Sequence, residues 1–158
     1  MDAREIVPVR LSREDVRNRA EEFREINIHN ENLPVDIEII MQSTLGIHPI
    51  PIRNLQYDCN MDGFISLDFK NIYIDEFLYM TENYYKRVRF TFAHEIGHRE
   101  LHRSIIESIK FGSLEEWIRF RMDLQEESLG WFEWQASEFA GRILVPMTNV
   151  HKCHFSQS

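Results

Sequence analysis

The sequence has 158 residues, 43% of them hydrophobic, 12% aromatic and 28% charged. This is the size of one domain, expected to span 1–158, and the mix excludes a disordered or collagen-like chain. With 18 basic and 26 acidic side chains the formal charge is −8, a surface that repels a phosphate backbone and suits a basic partner, so direct nucleic-acid binding is not expected.

Ser12-Arg-Glu-Asp15 has the form of a helix start, a Ser cap with an acid at the third helical position. Val16, Ala20 and Phe23 follow at i, i+4 and i+7, predicting a helix from about Arg13 to Ile28. After the polar break from Asn30 to Asn32, Pro34 stands where a first-turn proline is tolerated, and a second helix is expected to end at Gly46. Ile47-His-Pro-Ile-Pro-Ile52 cannot be helical and predicts an edge strand or extended segment. Gly63 to Leu67 and Asn71 to Asp75 read as a hairpin or two neighbouring strands. A helix from Tyr84 to about His102 is apolar on two sides, which places it within the core. Ser113-Leu-Glu-Glu116 is a capping box opening a helix to about Glu127, whose acids read as a solvated surface. A last helix runs from about Leu129 to Val145, stopped by Pro146. The order predicts an α+β fold, with a small mixed or antiparallel sheet against a mainly helical core.

His94-Glu-Ile-Gly-His98 carries the chemistry. Residues four apart share a helix face, so both imidazoles can reach one metal ion; zinc is the default for such ligands, with manganese or iron as alternatives. Glu95 is rotated by ~100° and reaches a water at that ion rather than the ion itself. There a carboxylate can take a proton as the water attacks a carbonyl and return it to the leaving amine. The plainer alternative is two histidines satisfied by hydrogen bonds within a helix.

Such a hydrolytic site needs a third protein ligand. His102 lies ~12 Å along the axis from His94, too far for three imidazoles of one straight helix to converge. Glu133 fits best: it stands beside the apolar face of the last helix, next to Phe132 and Ala136, where an unpaired carboxylate is costly. The alternative for Glu133 is an ion pair with an arginine.

Arg89-Phe-Thr-Phe-Ala-His-Glu-Ile-Gly-His98, with Glu133-Trp-Gln-Ala-Ser-Glu-Phe-Ala-Gly-Arg-Ile-Leu-Val-Pro146, resembles the ImmA/IrrE family of zinc metallopeptidases. Leu33 to Ile47 looks like the entry helix of that family and Asn71 to Asp75 like its strand before the active-site helix, so the resemblance spans about 11–150, leaving 151–158 as a tail. It implies a minimal thermolysin-like, zincin-like core, with His94, His98 and Glu133 as zinc ligands and Glu95 as catalytic base. It also implies a protein substrate: family members typically cleave or inactivate helix-turn-helix repressors, often in phages or mobile elements, and others are partners in toxin–antitoxin pairs. Ser137 stands where the family often carries Asn.

The expected activity is therefore zinc-dependent endopeptidase cleavage of one regulatory protein. The rival is a binding module of the same fold that sequesters a repressor or toxin without cutting it. Among smaller signals, Arg99 and His102 read as a solvated face, and Gly97 as room for a close neighbour. The segment from Arg103 to Leu129 reads as a cleft wall, and Trp134 as a possible part of it. The extended segments near the site are candidates to pair with a substrate strand. No run approaches the ~20 apolar residues of a membrane span, and Met1-Asp-Ala-Arg-Glu5 is no signal peptide, so a cytoplasmic protein with Cys59 and Cys153 as thiols is expected.

Overall fold

The computed structural model describes residues 11–28, 35–126 and 130–145. The first helix, α1 (Arg13–Asn27), is opened by the expected reciprocal cap: Asp15 N–H donates to Ser12 Oγ and Ser12 N–H to the Asp15 carboxylate. Val16, Ala20 and Phe23 are its buried stripe. The second helical segment is shorter than expected. Asp36 caps α2 (Ile37–Ile39), whose chain continues as a π turn over Ile40–Thr44. Gly46, at φ 67°, then takes the left-handed conformation that releases the chain into a strand.

The sheet has three strands in the order β1-β3-β2. The middle strand, β3 (Asn71–Asp75), pairs parallel with β1 (His48–Ile52) and antiparallel with β2 (Gly63–Ile65). His48 N–H points to β3, donating to Lys70 O, so the alternation of the strand turns the nitrogens of Pro49 and Pro51 to the open edge. Having no N–H, they blunt that edge. Three short elements carried no periodic signal in the sequence: α3 (Leu55–Cys59), α4 (Glu76–Met80) and a 3₁₀ turn at Glu82–Tyr84. Asp75, buried at the end of β3, secures two of them by accepting from Gln56 N–H of α3 and Leu78 N–H of α4.

The central helix, α5 (Tyr85–Ser108), runs 24 residues, six beyond the expected end at His102. It packs most closely on α7 (Gly130–Leu144) and also contacts β2. A Cβ on Gly97 would stand 2.9 Å from Ala136 O and 3.1 Å from Ala136 Cα, so the missing side chain lets the two helix backbones meet. Between them in sequence runs α6 (Leu114–Glu126). Its expected cap is half-formed: Glu116 N–H donates to Ser113 Oγ, but the Glu116 carboxylate accepts from Gly112 N–H, one residue further back. Trp117 and Phe120 of α6 are buried against Phe111, and Phe120 also meets Phe132 of α7 edge-on. Mainly helical with one small mixed sheet, the fold is α+β. No helix among the described residues is long and apolar enough to cross a membrane.

Candidate metal centre

On α5, the four-residue spacing brings His94, His98 and His102 onto one face in a continuous row. His94 Nε2 and His98 Nε2 are 3.2 Å apart, and His98 Nδ1 lies 2.9 Å from His102 Nδ1. Two stripes of α7 meet this row. Glu133 and Ser137, at i and i+4, face His94: Glu133 Oε2 is 2.7 Å from His94 Nε2, and Ser137 Oγ is 3.0 Å from His94 Nδ1. Phe132 and Gln135, at i and i+3, face the inner end. The Phe132 ring stacks on His98 and His102 at centroid distances of 4.5 and 4.1 Å, and Gln135 Oε1 is 2.8 Å from His102 Nε2.

The donor set fits a cation. Tetrahedral ligands at about 2.0–2.1 Å from a metal stand roughly 3.3 Å from one another. His94 Nε2 to His98 Nε2 is 3.2 Å, and His98 Nε2 to Glu133 Oε1 is 3.3 Å. That Oε1 is buried and makes no hydrogen bond among the described residues; it faces an imidazole nitrogen, and the arginine of the alternative reading, Arg121, stands 3.8 Å away by Nη2, beyond hydrogen-bond reach. His94, Glu95 and His98 also bring ligand atoms within 4.8 Å of one another.

Glu95 takes a different course from that of a free carboxylate at the cleft. It is buried, and its two oxygens form a fork-to-fork pair with Arg121 of α6 (Nη1 to Oε1 2.6 Å, Nη2 to Oε2 2.8 Å). Ile65 N–H of β2 adds a third hydrogen bond to Oε1, at 2.8 Å. The other oxygen, Oε2, is the one that faces the histidines, 3.9 Å from His94 Nε2. Ile65 faces outward from the sheet because its neighbour Ser66 uses its N–H to reach Asn71 O of β3. Its carbonyl is taken by Trp117 Nε1–H of α6, at 2.7 Å. The β2 edge at Ile65 is therefore already paired, by a helix on each side, and no substrate strand can join it there without displacing them.

Electrostatics follow the packing. Burial works against charge on Glu133, but His98, Arg121 and His94 around it outweigh that and hold its carboxyl far below the usual range. Glu95 is likewise held low against its own burial, chiefly by Arg121. Burial pushes both inner imidazoles down, His102 to about 3 with His98 as a second cause.

The structure thus brings His94, His98, Glu95 and Glu133 together as the sequence placed them. It corrects the reading of His102, which is fully buried rather than on a solvated face, because the i+4 row from His98 continues under α7. Arg99 is half-buried and paired with Glu100. Trp134 is partly exposed beneath the Arg13 guanidinium, on the α1 side. Sequence reasoning missed Arg121, although Trp117, Phe120 and Arg121 at i, i+3 and i+4 mark the inner stripe of α6. Cys153 and the rest of the expected tail, 151–158, lie outside the described residues.

Residues 78–157, which include α5, α6 and α7, match the family described as Peptidase_M78, IrrE N-terminal-like domain. The upstream segments of the resemblance, Leu33 to Ile47 and Asn71 to Asp75, lie outside that match. No curated protein and no solved structure matches the chain.

Proposed function

The chain belongs to the IrrE N-terminal-like family of metalloproteases, and from that premise we propose that it is a zinc-dependent endopeptidase cleaving one regulatory protein, a helix-turn-helix repressor or toxin–antitoxin partner. The observation that carries the reading is the convergence of His94 Nε2, His98 Nε2 and the Glu133 carboxylate, with Glu133 Oε1 buried and without a hydrogen bond among the described residues. Two imidazoles and one carboxylate suit zinc and leave a fourth position for water. Zinc, when bound, supplies Lewis acidity to a peptide carbonyl and to that water.

The protein's own groups do the rest. His94 and His98 hold their rings by hydrogen bonds at Nδ1, to Ser137 and His102. Glu95 Oε2, on the histidine side of its carboxylate, takes the proton of the attacking water and returns it to the leaving amine as the C–N bond breaks. Access comes from the side of His94 and Glu133, whose side chains are 13% and 27% exposed, with His98 and Glu95 buried beneath them. The formal charge of −8 favours the basic surface of a DNA-binding substrate.

A second reading is a binder that sequesters the same partner without cutting it. What favours it is the Arg121 fork on Glu95, which draws on the oxygen that must accept the proton. Mass spectrometry of the partner after incubation separates the two. New termini with the intact chain, and none with Glu95→Gln, mean protease; an unbroken partner in a stable complex means binder. The metal comes first: about one zinc per chain, lost in Glu133→Ala, is expected, and a folded chain that takes up no supplied zinc overturns the peptidase reading.

A further inference from the structure

We infer that His102 and Gln135 are positioning residues that hold His98 Nδ1 as a hydrogen-bond donor, so that Nε2 is the nitrogen left to meet a cation beside Glu133 and His94. The inference rests on the metallopeptidase reading above for its purpose, but its geometry stands without it.

The derivation starts at the far end of the chain of hydrogen bonds. Gln135 Nε2 donates to Leu11 O at 3.5 Å, and a carbonyl only accepts, so this contact sets the amide with Oε1 toward His102. Oε1 also only accepts; the nitrogen 2.8 Å from it, His102 Nε2, must therefore be the protonated one. His102 is fully buried, stacked on Phe132, and its two ring nitrogens face an amide and an imidazole with no carboxylate hydrogen-bonded to either among the described residues. A neutral ring with a proton on Nε2 has a lone pair on Nδ1. That lone pair lies 2.9 Å from His98 Nδ1, which must then donate. With its Nδ1–H donating to His102, His98 can offer a lone pair to a cation only from Nε2.

His98 Nε2 then stands 3.3 Å from a carboxylate oxygen that makes no hydrogen bond among the described residues and 3.2 Å from His94 Nε2. A nitrogen and a carboxylate oxygen at that spacing suit a cation standing between them. The relay thus specifies a metal-ready ligand from two residues that never touch the ion. It also gives a common reason for two features of the sequence, a third histidine four residues after His98 and a glutamine two residues after Glu133. The opposite tautomer, with a proton on His98 Nε2, would force His102 to donate from Nδ1 and leave its Nε2 lone pair against Gln135 Oε1.

Long-range ¹H–¹⁵N spectra of the metal-free chain read the tautomers directly. His98 protonated at Nδ1 and His102 at Nε2 are expected; a His98 Nδ1 without a proton overturns the inference, whether or not the chain binds zinc. The second measurement is zinc affinity by chelator competition in the intact chain and in His102→Phe, Gln135→Leu and Gln135→Glu. Loss of an outer partner of this kind weakens metal binding ~10–100-fold. That loss is expected in His102→Phe and Gln135→Leu, with Gln135→Glu, which keeps the acceptor, within a few-fold of the parent. Equal affinity in all four chains overturns the inference while leaving the metal site standing. If the intact chain binds no zinc, the peptidase reading fails and the tautomer spectra alone decide the relay.

Discussion

Arg121 and Glu95 form a fully buried ion pair whose two parallel hydrogen bonds join α6 to the middle of α5. Charges this deep are stable only together: removing one leaves the other without its counter-charge, at a cost of about 3–5 kcal/mol. Arg121→Met is therefore expected to destabilise the metal-free chain by about that much in chemical denaturation. Glu95→Gln should also lower stability, since the nearest carboxylate left to Arg121 among the described residues is Glu133, at 3.8 Å. The double variant should lose clearly less than the sum of the two, and strict additivity would show that the pair is not coupled.

Trp117 offers a second test of how α6 is anchored. Its Nε1–H donates to the outward-facing carbonyl of Ile65 in a site closed to water. Trp117→Phe keeps most of the ring but leaves that carbonyl unsatisfied, a loss of about 1–3 kcal/mol. A melting temperature unchanged from the parent would mean that the bond contributes nothing to holding α6 on the sheet edge.

How far the sequence reached depended on whether a signal was local. The Ser12–Asp15 cap, the proline-blunted β1 and the His94–His98 pair each follow from residues a few positions apart, and each stands where the spacing put it. Glu133 was placed on its helix face by the same periodicity, and the structure sets it against both histidines. Arg121 was hidden because its partner is 26 positions away, and because charged residues on either side made α6 read as surface. His102 was judged as a ligand, for which it is too far along the axis; its contacts with His98 and Gln135 depend on the crossing of α5 and α7, a tertiary relationship no local window contains. The short helices α3 and α4 are held by Asp75 from outside their own spans, so they left no periodic trace.

That crossing is itself open to test. Alanine at position 97 would gain about 1 kcal/mol of helix propensity over glycine if the site were roomy. Here the new methyl would stand 2.9 Å from a backbone oxygen and 3.3 Å from the Phe139 ring, and backbone cannot swing away as a flexible side chain can. Gly97→Ala should therefore destabilise by about 1–3 kcal/mol, the usual cost of overpacking. A more stable variant would show that α5 and α7 are further apart than described.

Metal binding should appear as stability. A ligand that binds only the folded state adds RT ln(1 + [L]/Kd), about 2.7 kcal/mol at a free concentration one hundred times Kd. Zinc should accordingly raise the melting temperature of the intact chain, and a chelator should reverse the rise. The metal would relieve the orphaned Glu133 Oε1 and the two facing imidazoles at once, so the gain should vanish in His94→Ala and in Glu133→Ala alike. A rise that survives in either variant would place the bound zinc elsewhere on the chain, and the convergence of His94, His98 and Glu133 would then be packing rather than coordination.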